Sequence, residues 1–209
     1  MRLIVITIWL LLLPSLAPAE TILSSAGPLS VTQVLGGLTE PWGMTFLPGG
    51  GFLVTERGGR LIHVSQAGAV TVVRGVPNVV ARGQGGLLDV VAARDFARSR
   101  EIFLSYVKKQ PGGSGTALAV VRLSQDARRL ENLRVIFEVR PGIRSTLQFG
   151  SRIVEARDGI IYMTIGEGDQ PADAQDLSVL GGSVIRIRRD GSVPRDNPFV
   201  TTAGARGEI

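Results

Sequence analysis

Three polar side chains stand in glycine-rich segments, where a chain can turn sharply and approach a ligand closely. Gln84 lies in GQGGLLDV, Gln148 in TLQFGSRIVEARDG and Glu167 in TIGEGDQ. A glutamine amide both donates and accepts hydrogen bonds, so it can hold ligand oxygens, but it cannot take up a proton. A glutamate can act as a base if burial raises its pKa. Of the three residues, Glu167 alone could therefore accept a proton.

Other polar residues have simpler structural interpretations. His63 is the only histidine, and its place in the alternating segment RLIHVS predicts a structural role on a strand. The donor fork of Arg152 is expected to tie a strand to a loop. Asp158, Asp190 and Asp196 stand beside Gly or Asn in predicted turns, where Asp bonds the local backbone. No compact set of oxygen ligands is apparent, so no residue is assigned to a metal.

The first 19 residues have the pattern of a secretory signal. Arg2 precedes an apolar run from Leu3 to Leu13, and Ala17-Pro18-Ala19 forms a small-x-small cleavage site. The run is short for a membrane span, so cleavage is favoured over an uncleaved anchor. We expect a mature domain of residues 20–209 in the periplasm or outside the cell, with no later membrane span. The sequence has no Cys, so no disulfide can form there.

The charge pattern argues against nucleic-acid binding. Net charge is +5 and the pI is near 10.6, but the arginines are scattered among acidic residues. Aromatic residues make up only 5% of the chain, too few to supply an evident stacking platform. We therefore interpret the basic balance as solvated surface together with binding of an anionic ligand.

Hydrophobic residues alternate along most of the chain, and this pattern predicts short strands joined by tight turns. Three units of about four strands begin near Met44, Leu88 and Arg152, and no long amphipathic helix is evident. Four-stranded units repeated along a chain are typical of β-propeller blades, whereas a β-sandwich is the alternative. The predicted fold class is all-β, a partial propeller of about three blades.

Several motifs, in order and spacing, resemble those of the soluble glucose/sorbosone dehydrogenases, in particular the aldose sugar dehydrogenase branch. The similarity extends from residue 33 to residue 209. The motifs are LTEPWGMTFLPGGGFLVTERGGRL, GQGGLLDV, FGSRIVEARDGIIYMTIGEGDQ, AQDL, LGGSVIRIRRDGSVPRDNPF and GARGEI. This resemblance implies a six-bladed propeller, of which residues 20–209 would be the N-terminal part.

The resemblance also implies an activity: oxidation of an aldose at C1 to the lactone, with pyrroloquinoline quinone (PQQ) and Ca²⁺ as cofactors. By position, Gln84 matches a glutamine that contacts PQQ, beside glycines that allow close approach. Gln148 stands where the family has the histidine base, and Glu167 matches an acidic residue near that base. Replacing a general base commonly costs about 10²–10⁴ in rate. Glu167 could take over the proton.

Departures from the family keep other functions open. The family continues beyond GARGEI with a W-S-Y-G-x-R-N segment, calcium ligands and basic residues that bind the PQQ carboxylates. From their absence and from Gln148, we expect a truncated chain that is inactive alone. The alternatives are a non-catalytic propeller that binds a sugar or a protein, and a metal-dependent propeller lactonase. The preferred sugar and the electron acceptor are not predicted.

Overall fold

The computed structural model describes residues 20–209, so the predicted signal lies outside the described residues. The chain divides into two compact units, the first ending at Gly37 and the second spanning Leu38–Ile209. The described part of the first unit contains an antiparallel hairpin of β1 (Glu20–Ser24) and β2 (Gly27–Val31).

The second unit consists of three antiparallel sheets whose strands follow one another in chain order. The first sheet comprises β3 (Pro41–Phe46), β4 (Phe52–Glu56), β5 (Arg60–Val64) and β6 (Val70–Val73). The second comprises β7 (Leu87–Ala92), β8 (Glu101–Gln110), β9 (Gly113–Leu123) and β10 (Leu130–Glu138). The third comprises β11 (Gly150–Glu155), β12 (Ile161–Ile165) and β13 (Val184–Ile187). Strand β7 contacts both β3 and β11, so the sheets are successive blades of a partial propeller, as predicted.

Helical structure in residues 20–209 is limited to α1 (Phe96–Ser99) and a 3-10 turn at Pro171–Gln175. None of the helices within this range has the length and apolar character needed to cross a membrane.

One loop is shorter than its sequence suggests. PGGSG reads as a flexible loop, but the β8–β9 ladder continues through Gly113, and only Pro111 and Gly112 form the turn.

An irregularity recurs at the same place in the first strand of each of the three sheets of the second unit. The pairing with the second strand shifts between Pro41 and Met44, between Leu87 and Val90, and between Gly150 and Ile153. Such β-bulges leave backbone groups without a partner in the strand ladder. The three blades therefore share a backbone irregularity as well as a hydrophobic pattern.

A hydroxyl group from the second strand fills each bulge by accepting a backbone N–H bond at 2.9–3.0 Å. The donor–acceptor pairs are Gly43 with Thr55, Asp89 with Ser105, and Arg152 with Thr164. The structurally equivalent residues are thus Gly43, Asp89 and Arg152. The sequence placed the starts of the units near Met44, Leu88 and Arg152, and the first two lie one residue from these equivalent positions.

Two of these hydroxyls also connect neighbouring sheets. Thr55 donates to the carbonyl of Leu88 in the second sheet, and Ser105 donates to the carbonyl of Ser151 in the third at 2.8 Å. Thr55 and Ser105 are fully buried. Each hydroxyl therefore accepts a backbone N–H at the bulge of its own blade and donates to a carbonyl of the adjoining blade.

The hydrophobic core lies between the sheets, and the second sheet is covered on both faces. Its side chains alternate, so Ile102 and Leu104 pack towards the first sheet while Phe103 packs towards the third. The near-continuous apolar runs EIFLSYV and TALAVV follow from this two-sided burial. Apolar side chains are exposed on the first and third sheets, among them Phe46 and Val154.

An arginine network joins the second and third sheets away from the bulges. Arg189 follows β13 and bonds Asp95 at 2.9 Å, and it also pairs with Glu101. The buried carboxylate of Glu155 lies 3.9 Å from the same guanidinium and accepts the backbone N–H of Arg94 at 2.6 Å. One arginine thus links three carboxylates from two blades.

Candidate functional site

A cleft of about 360 Å³ lies where the connections into the first strands of the second and third sheets meet. Its walls come from β3, from the β4–β5 turn, and from the segments that precede and begin β7 and β11. The lining residues are Trp42, Arg57, Gly83, Gln84, Leu88, Gln148, Phe149 and Gly150. Two of the three predicted site residues, Gln84 and Gln148, therefore face one cavity.

Gln84 and Gln148 are joined directly although 64 positions separate them in the chain. The side-chain oxygen of Gln84 accepts the backbone N–H of Gln148 at 2.8 Å. The backbone N–H of Gln84 bonds the carbonyl of Thr146 at 2.8 Å. These two bonds lay the β6–β7 connection against the β10–β11 connection and fix the relative position of the two amides.

The backbone of Gln148 is held in a sparsely populated conformation. Its φ is +54°, in the left-handed region that non-glycine residues rarely adopt. Its carbonyl accepts the N–H of Gly168 at 3.2 Å, and a Cβ at Gly166 would collide with that carbonyl. Hydrogen bonds to the N–H and to the carbonyl of Gln148 therefore fix the direction of its side chain. Backbone strain of this kind clusters at functional sites.

Glu167 lies beside Gln148, as the sequence motif suggested. The orientation of the Gln148 amide that satisfies both groups lets its nitrogen donate to both carboxylate oxygens of Glu167. Glu167 itself lines a neighbouring cavity of about 210 Å³ rather than the main cleft. Gln148 thus separates the acidic group from the cleft, and its amide occupies part of the hydrogen-bonding capacity of Glu167.

Arg57 is a cleft residue to which the sequence reasoning gave no role. It donates to the carbonyls of Gly83 and Gly85, the latter at 3.0 Å, and it forms an ion pair with Glu40. Its own carbonyl accepts the N–H of Leu87 at 3.0 Å. Arg57 therefore fixes the glycine-rich loop that carries Gln84. The available signal was an arginine before two glycines in ERGG, at a predicted hairpin turn.

The glycines in GQGG are required by close packing. A side chain at Gly83 would collide with the Thr146 carbonyl, and one at Gly86 would collide with the carbonyl of Arg57. Both glycines have positive φ, +57° and +139°. The loop can approach the β10–β11 connection only because these side chains are missing.

Trp42 lines the cleft, and Arg152 packs against it. The Arg152 guanidinium stacks over the Trp42 ring at 4.7 Å and pairs with the buried carboxylate of Asp89 at 2.8 Å. Asp89 also accepts the N–H of Ile153 at 2.8 Å. Burial raises the pKa of Asp89 above its ordinary value, although these bonds and the Arg152 charge oppose that effect. Arg152 therefore joins its own strand to β7 and β3, whereas a tie between a strand and a loop was expected.

The remaining candidates lie apart from the cleft. His63 is on β5, opposite Leu53 and Thr71, and burial lowers its pKa, with a further contribution from Arg100. Asp158 and Asp190 accept the backbone N–H groups of Ile160 and Ser192 within their turns. Asp196 instead pairs with Arg186 at 2.8 Å. These contacts explain the four residues without a ligand.

Comparison with known proteins places this arrangement in a family. The sequence profile of the glucose/sorbosone dehydrogenase family matches residues 38–209. The chain is 39% identical over 201 residues to the aldose sugar dehydrogenase YliI of Escherichia coli, covering 95% of this chain and 54% of the relative. It is 26% identical over 210 residues to quinoprotein glucose dehydrogenase B of Acinetobacter calcoaceticus, covering 88% and 44%.

Solved structures agree with the sequence comparison. The apo form of the soluble aldose sugar dehydrogenase from Escherichia coli superposes with a TM-score of 0.78 at 43% identity, covering 82% of this chain and 50% of that one. The PQQ-bound aldose sugar dehydrogenase from Streptomyces coelicolor gives 0.74 at 26% identity, covering 90% and 54%. The fold and the aligned chain define an all-β protein of the sugar dehydrogenase propeller class.

The chain belongs to the glucose/sorbosone dehydrogenase family, and it spans about half the length of the relatives that it matches. The predicted fold class and the predicted resemblance are both confirmed. The roles of Gln84, Gln148 and Glu167 remain predictions, to which the structure adds their mutual contacts.

Proposed function

We propose that this protein serves PQQ-dependent oxidation of an aldose at C1 to the lactone, after export to the periplasm or the cell exterior. One observation carries the proposal. In a chain of this family, Gln84 and Gln148 line the same cleft and are locked together by a hydrogen bond. Two relatives described as sugar dehydrogenases, one of them solved with PQQ bound, support the assignment of substrate and cofactor.

The cleft residues fit one side of a flat cofactor rich in carbonyl and carboxylate oxygens. Trp42 offers an aromatic wall, the Gln84 amide keeps its two N–H donors, and the glycine loop lets a planar ring approach the backbone. The bound quinone would supply the oxidant that accepts hydride from C1. Calcium is a weaker fit, because residues 20–209 contain no group of three or more His, Cys, Asp or Glu side chains that are placed to hold a metal ion.

The proton balance assigns different roles to Gln148 and Glu167. Oxidation at C1 removes a hydride from carbon and a proton from the C1 hydroxyl. Gln148 can orient that hydroxyl through its amide but cannot take the proton. Glu167 is the carboxylate in hydrogen-bond contact with Gln148, and we assign it as the proton acceptor. Because Gln148 lies between Glu167 and the cleft, the amide must move or a water must relay the proton.

The amide at position 148 also favours a second function: a propeller that binds a sugar without oxidising it. An amide in place of a base retains hydrogen bonding to hydroxyl groups and loses proton transfer. Binding would then survive while turnover is absent. The natural electron acceptor is left unassigned in both cases.

The test is reconstitution of the purified protein with PQQ and Ca²⁺, followed by dye reduction with glucose and by equilibrium binding of glucose. We expect Gln148→His to raise turnover by about 10²-fold, the lower end for a restored general base. Glu167→Gln should lower turnover of the parent protein by a similar factor, whereas Glu131→Gln, distant on β10, should not change it. Glucose binding without turnover in the parent and in Gln148→His would favour the non-catalytic function. Unchanged turnover in Glu167→Gln would remove Glu167 from the mechanism.

A further inference from the structure

A second groove of about 320 Å³ adjoins the candidate site and differs from it in charge. Three cationic side chains line it: Arg82 before β7, Lys109 near the end of β8, and Arg144 before β11. Ser114 and Thr146 add hydroxyl groups. We call this cavity the cationic groove; its remaining lining residues are Val80, Gly113 and Ile143.

The cations of the groove are free of acidic partners. Across residues 20–209, no salt bridge involves Arg82, Lys109 or Arg144. The neighbouring Lys108 shows the contrast, because it pairs with Glu138. Three exposed cations without an acidic partner give the groove a positive potential, which favours an anionic ligand.

The chemistry of the lining selects an acceptor. All five polar side chains of the groove can donate hydrogen bonds, and none is a carboxylate or an amide. The hydroxyls of Ser114 and Thr146 make no side-chain hydrogen bond to any other part of residues 20–209. A neutral sugar presents donors as well as acceptors, and only the two hydroxyls could accept from it, because the three cations can only donate. A phosphate or a carboxylate presents acceptors alone.

The groove is held by backbone pairing at each of its ends. Ser114 and Ile143 exchange two backbone hydrogen bonds, at 2.9 Å and 2.8 Å. Thr146 accepts the N–H of Gln84 at 2.8 Å. The lining segments are therefore fixed relative to one another, which lowers the entropy cost of gathering donors around one anion.

The groove and the cleft share a wall. Arg82 and Gln84 flank Gly83, which packs directly against Thr146. Thr146 lines the groove, while Gly83, Gln84 and Gln148 line the cleft. A ligand in the cleft could thus extend a charged end across this wall into the cationic groove.

We propose that the cationic groove is a subsite for an anionic group on the sugar, a phosphate or a carboxylate carried at the end of the molecule remote from C1. This proposal rests on the proposed function for the location of the sugar itself. The protein would then prefer acidic or phosphorylated aldoses to neutral ones. The cations make this preference by electrostatic attraction, so it weakens as ionic strength rises.

Calorimetric titration of the full-length protein without cofactor tests this, with glucose 6-phosphate, glucose and inorganic phosphate as probes. We expect glucose 6-phosphate to bind at least about tenfold more tightly than either other probe, since about 1.4 kcal/mol corresponds to tenfold. The triple variant Arg82→Gln, Lys109→Gln, Arg144→Gln should abolish this difference. The charge-matched control Arg134→Gln, Arg157→Gln, Arg195→Gln changes exposed arginines outside the groove and should keep it within twofold. Arg144→Gln alone provides a milder variant if the triple variant misfolds.

Several results would overturn the proposal. Equal affinity for glucose and glucose 6-phosphate would show that the groove does not contact the sugar's substituent. An equal loss in the groove and control variants would indicate attraction by net charge alone. If PQQ displaces glucose 6-phosphate from the parent protein but not from the groove variant, the groove binds the cofactor rather than the sugar. The titration does not depend on turnover, so the two proposals fail separately. Preferential binding with no oxidation would contradict only the proposed function. Oxidation of glucose without preferential binding would contradict only the subsite.

Discussion

The junctions between the sheets and the rim of the cleft use similar polar side chains in opposite ways. At the junctions, Thr55 and Ser105 are fully buried, and each makes bonds to its own blade and to the next one. At the rim, Gln84 and Gln148 are exposed; Gln84 keeps its amide N–H donors free for a ligand, and Gln148, whose nitrogen bonds Glu167, keeps its amide oxygen. Buried polar groups must be satisfied for the fold to be stable, whereas a binding group must retain unused capacity. Substitutions should therefore separate the two regions by their effect on stability.

The largest stability effect is expected at Asp89. This carboxylate is 1% exposed and accepts bonds from Arg152 and from the N–H of Ile153. Asp89→Ala leaves the buried N–H of Ile153 without its acceptor, whereas the half-exposed Arg152 can turn to water, so the loss should be about 2–3 kcal/mol. Urea unfolding followed by circular dichroism measures it. Asp190→Ala, in an exposed turn, is the control and should cost less than about 1 kcal/mol. Similar losses in both variants would contradict the distinction.

The bulge hydroxyls offer a comparison within the repeat itself. Ser105→Ala strands the buried N–H of Asp89 and the carbonyl of Ser151, and we expect a loss of about 1–3 kcal/mol. Thr164 is the equivalent residue in the third blade and is only partly buried. Thr164→Val should cost less than about 1 kcal/mol, because water can reach the N–H that it leaves free. Equal losses, measured by the same unfolding titration, would mean that the hydroxyls do not stabilise the fold through the sheet junctions.

The sequence predicted the blades better than their register. Alternating hydrophobic residues and Gly-rich turns were enough to identify the strands, because each strand buries at least one face. The starts of the units at Met44 and Leu88 were only approximate, because the hydrophobic pattern does not show where the bulges lie. The sequence also did not indicate the hydroxyls that fill the bulges, because Thr55 and Ser105 have the pattern of ordinary polar residues on a strand.

The candidate site was predicted in part, and the limit has a physical cause. Gln84 and Gln148 were singled out from local glycine-rich motifs combined with the resemblance to a family. Arg57 and the cationic groove depend on segments that meet only in the folded chain, so no local pattern marks them. Lys108 and Lys109 are adjacent in sequence, yet one is paired with Glu138 and the other faces the groove.

A smaller effect, dependent on pH, is expected in the Arg189 network. Burial raises the pKa of Asp95, but bonds from Arg189, Ser99 and Arg98 outweigh it and hold the pKa below the ordinary value of 3.8. The charged form therefore stabilises the fold above pH 3.8, and this stabilisation is lost as the pH falls through the lower pKa of the folded state.

Asp95→Asn should cost about 1 kcal/mol or less at pH 6, and the cost should shrink below pH 3.8 as the parent carboxylate is protonated. The measurement is the unfolding free energy of parent and variant from urea titrations between about pH 2.5 and about pH 6, a range that includes the pKa of Asp95 in the unfolded chain. A difference that stays constant across this range would show that Asp95 contributes through packing rather than through its charge.

The smallest stability effect is expected at the rim, where Gln84 holds the backbone of Gln148. Gln84→Ala removes the acceptor of the Gln148 N–H, but both residues are exposed, so stability should change by less than about 0.5 kcal/mol. Hydrogen exchange at the Gln148 amide should nevertheless become faster, because the bond that protects this amide is lost. Gln84→Glu keeps an acceptor oxygen and should preserve the protection, while Gln66→Ala, in the exposed β5–β6 turn, should leave it unchanged. Unaltered exchange in Gln84→Ala would mean that the left-handed backbone at Gln148 is fixed by Gly166 and Gly168 alone, and that the two amides of the cleft are independent.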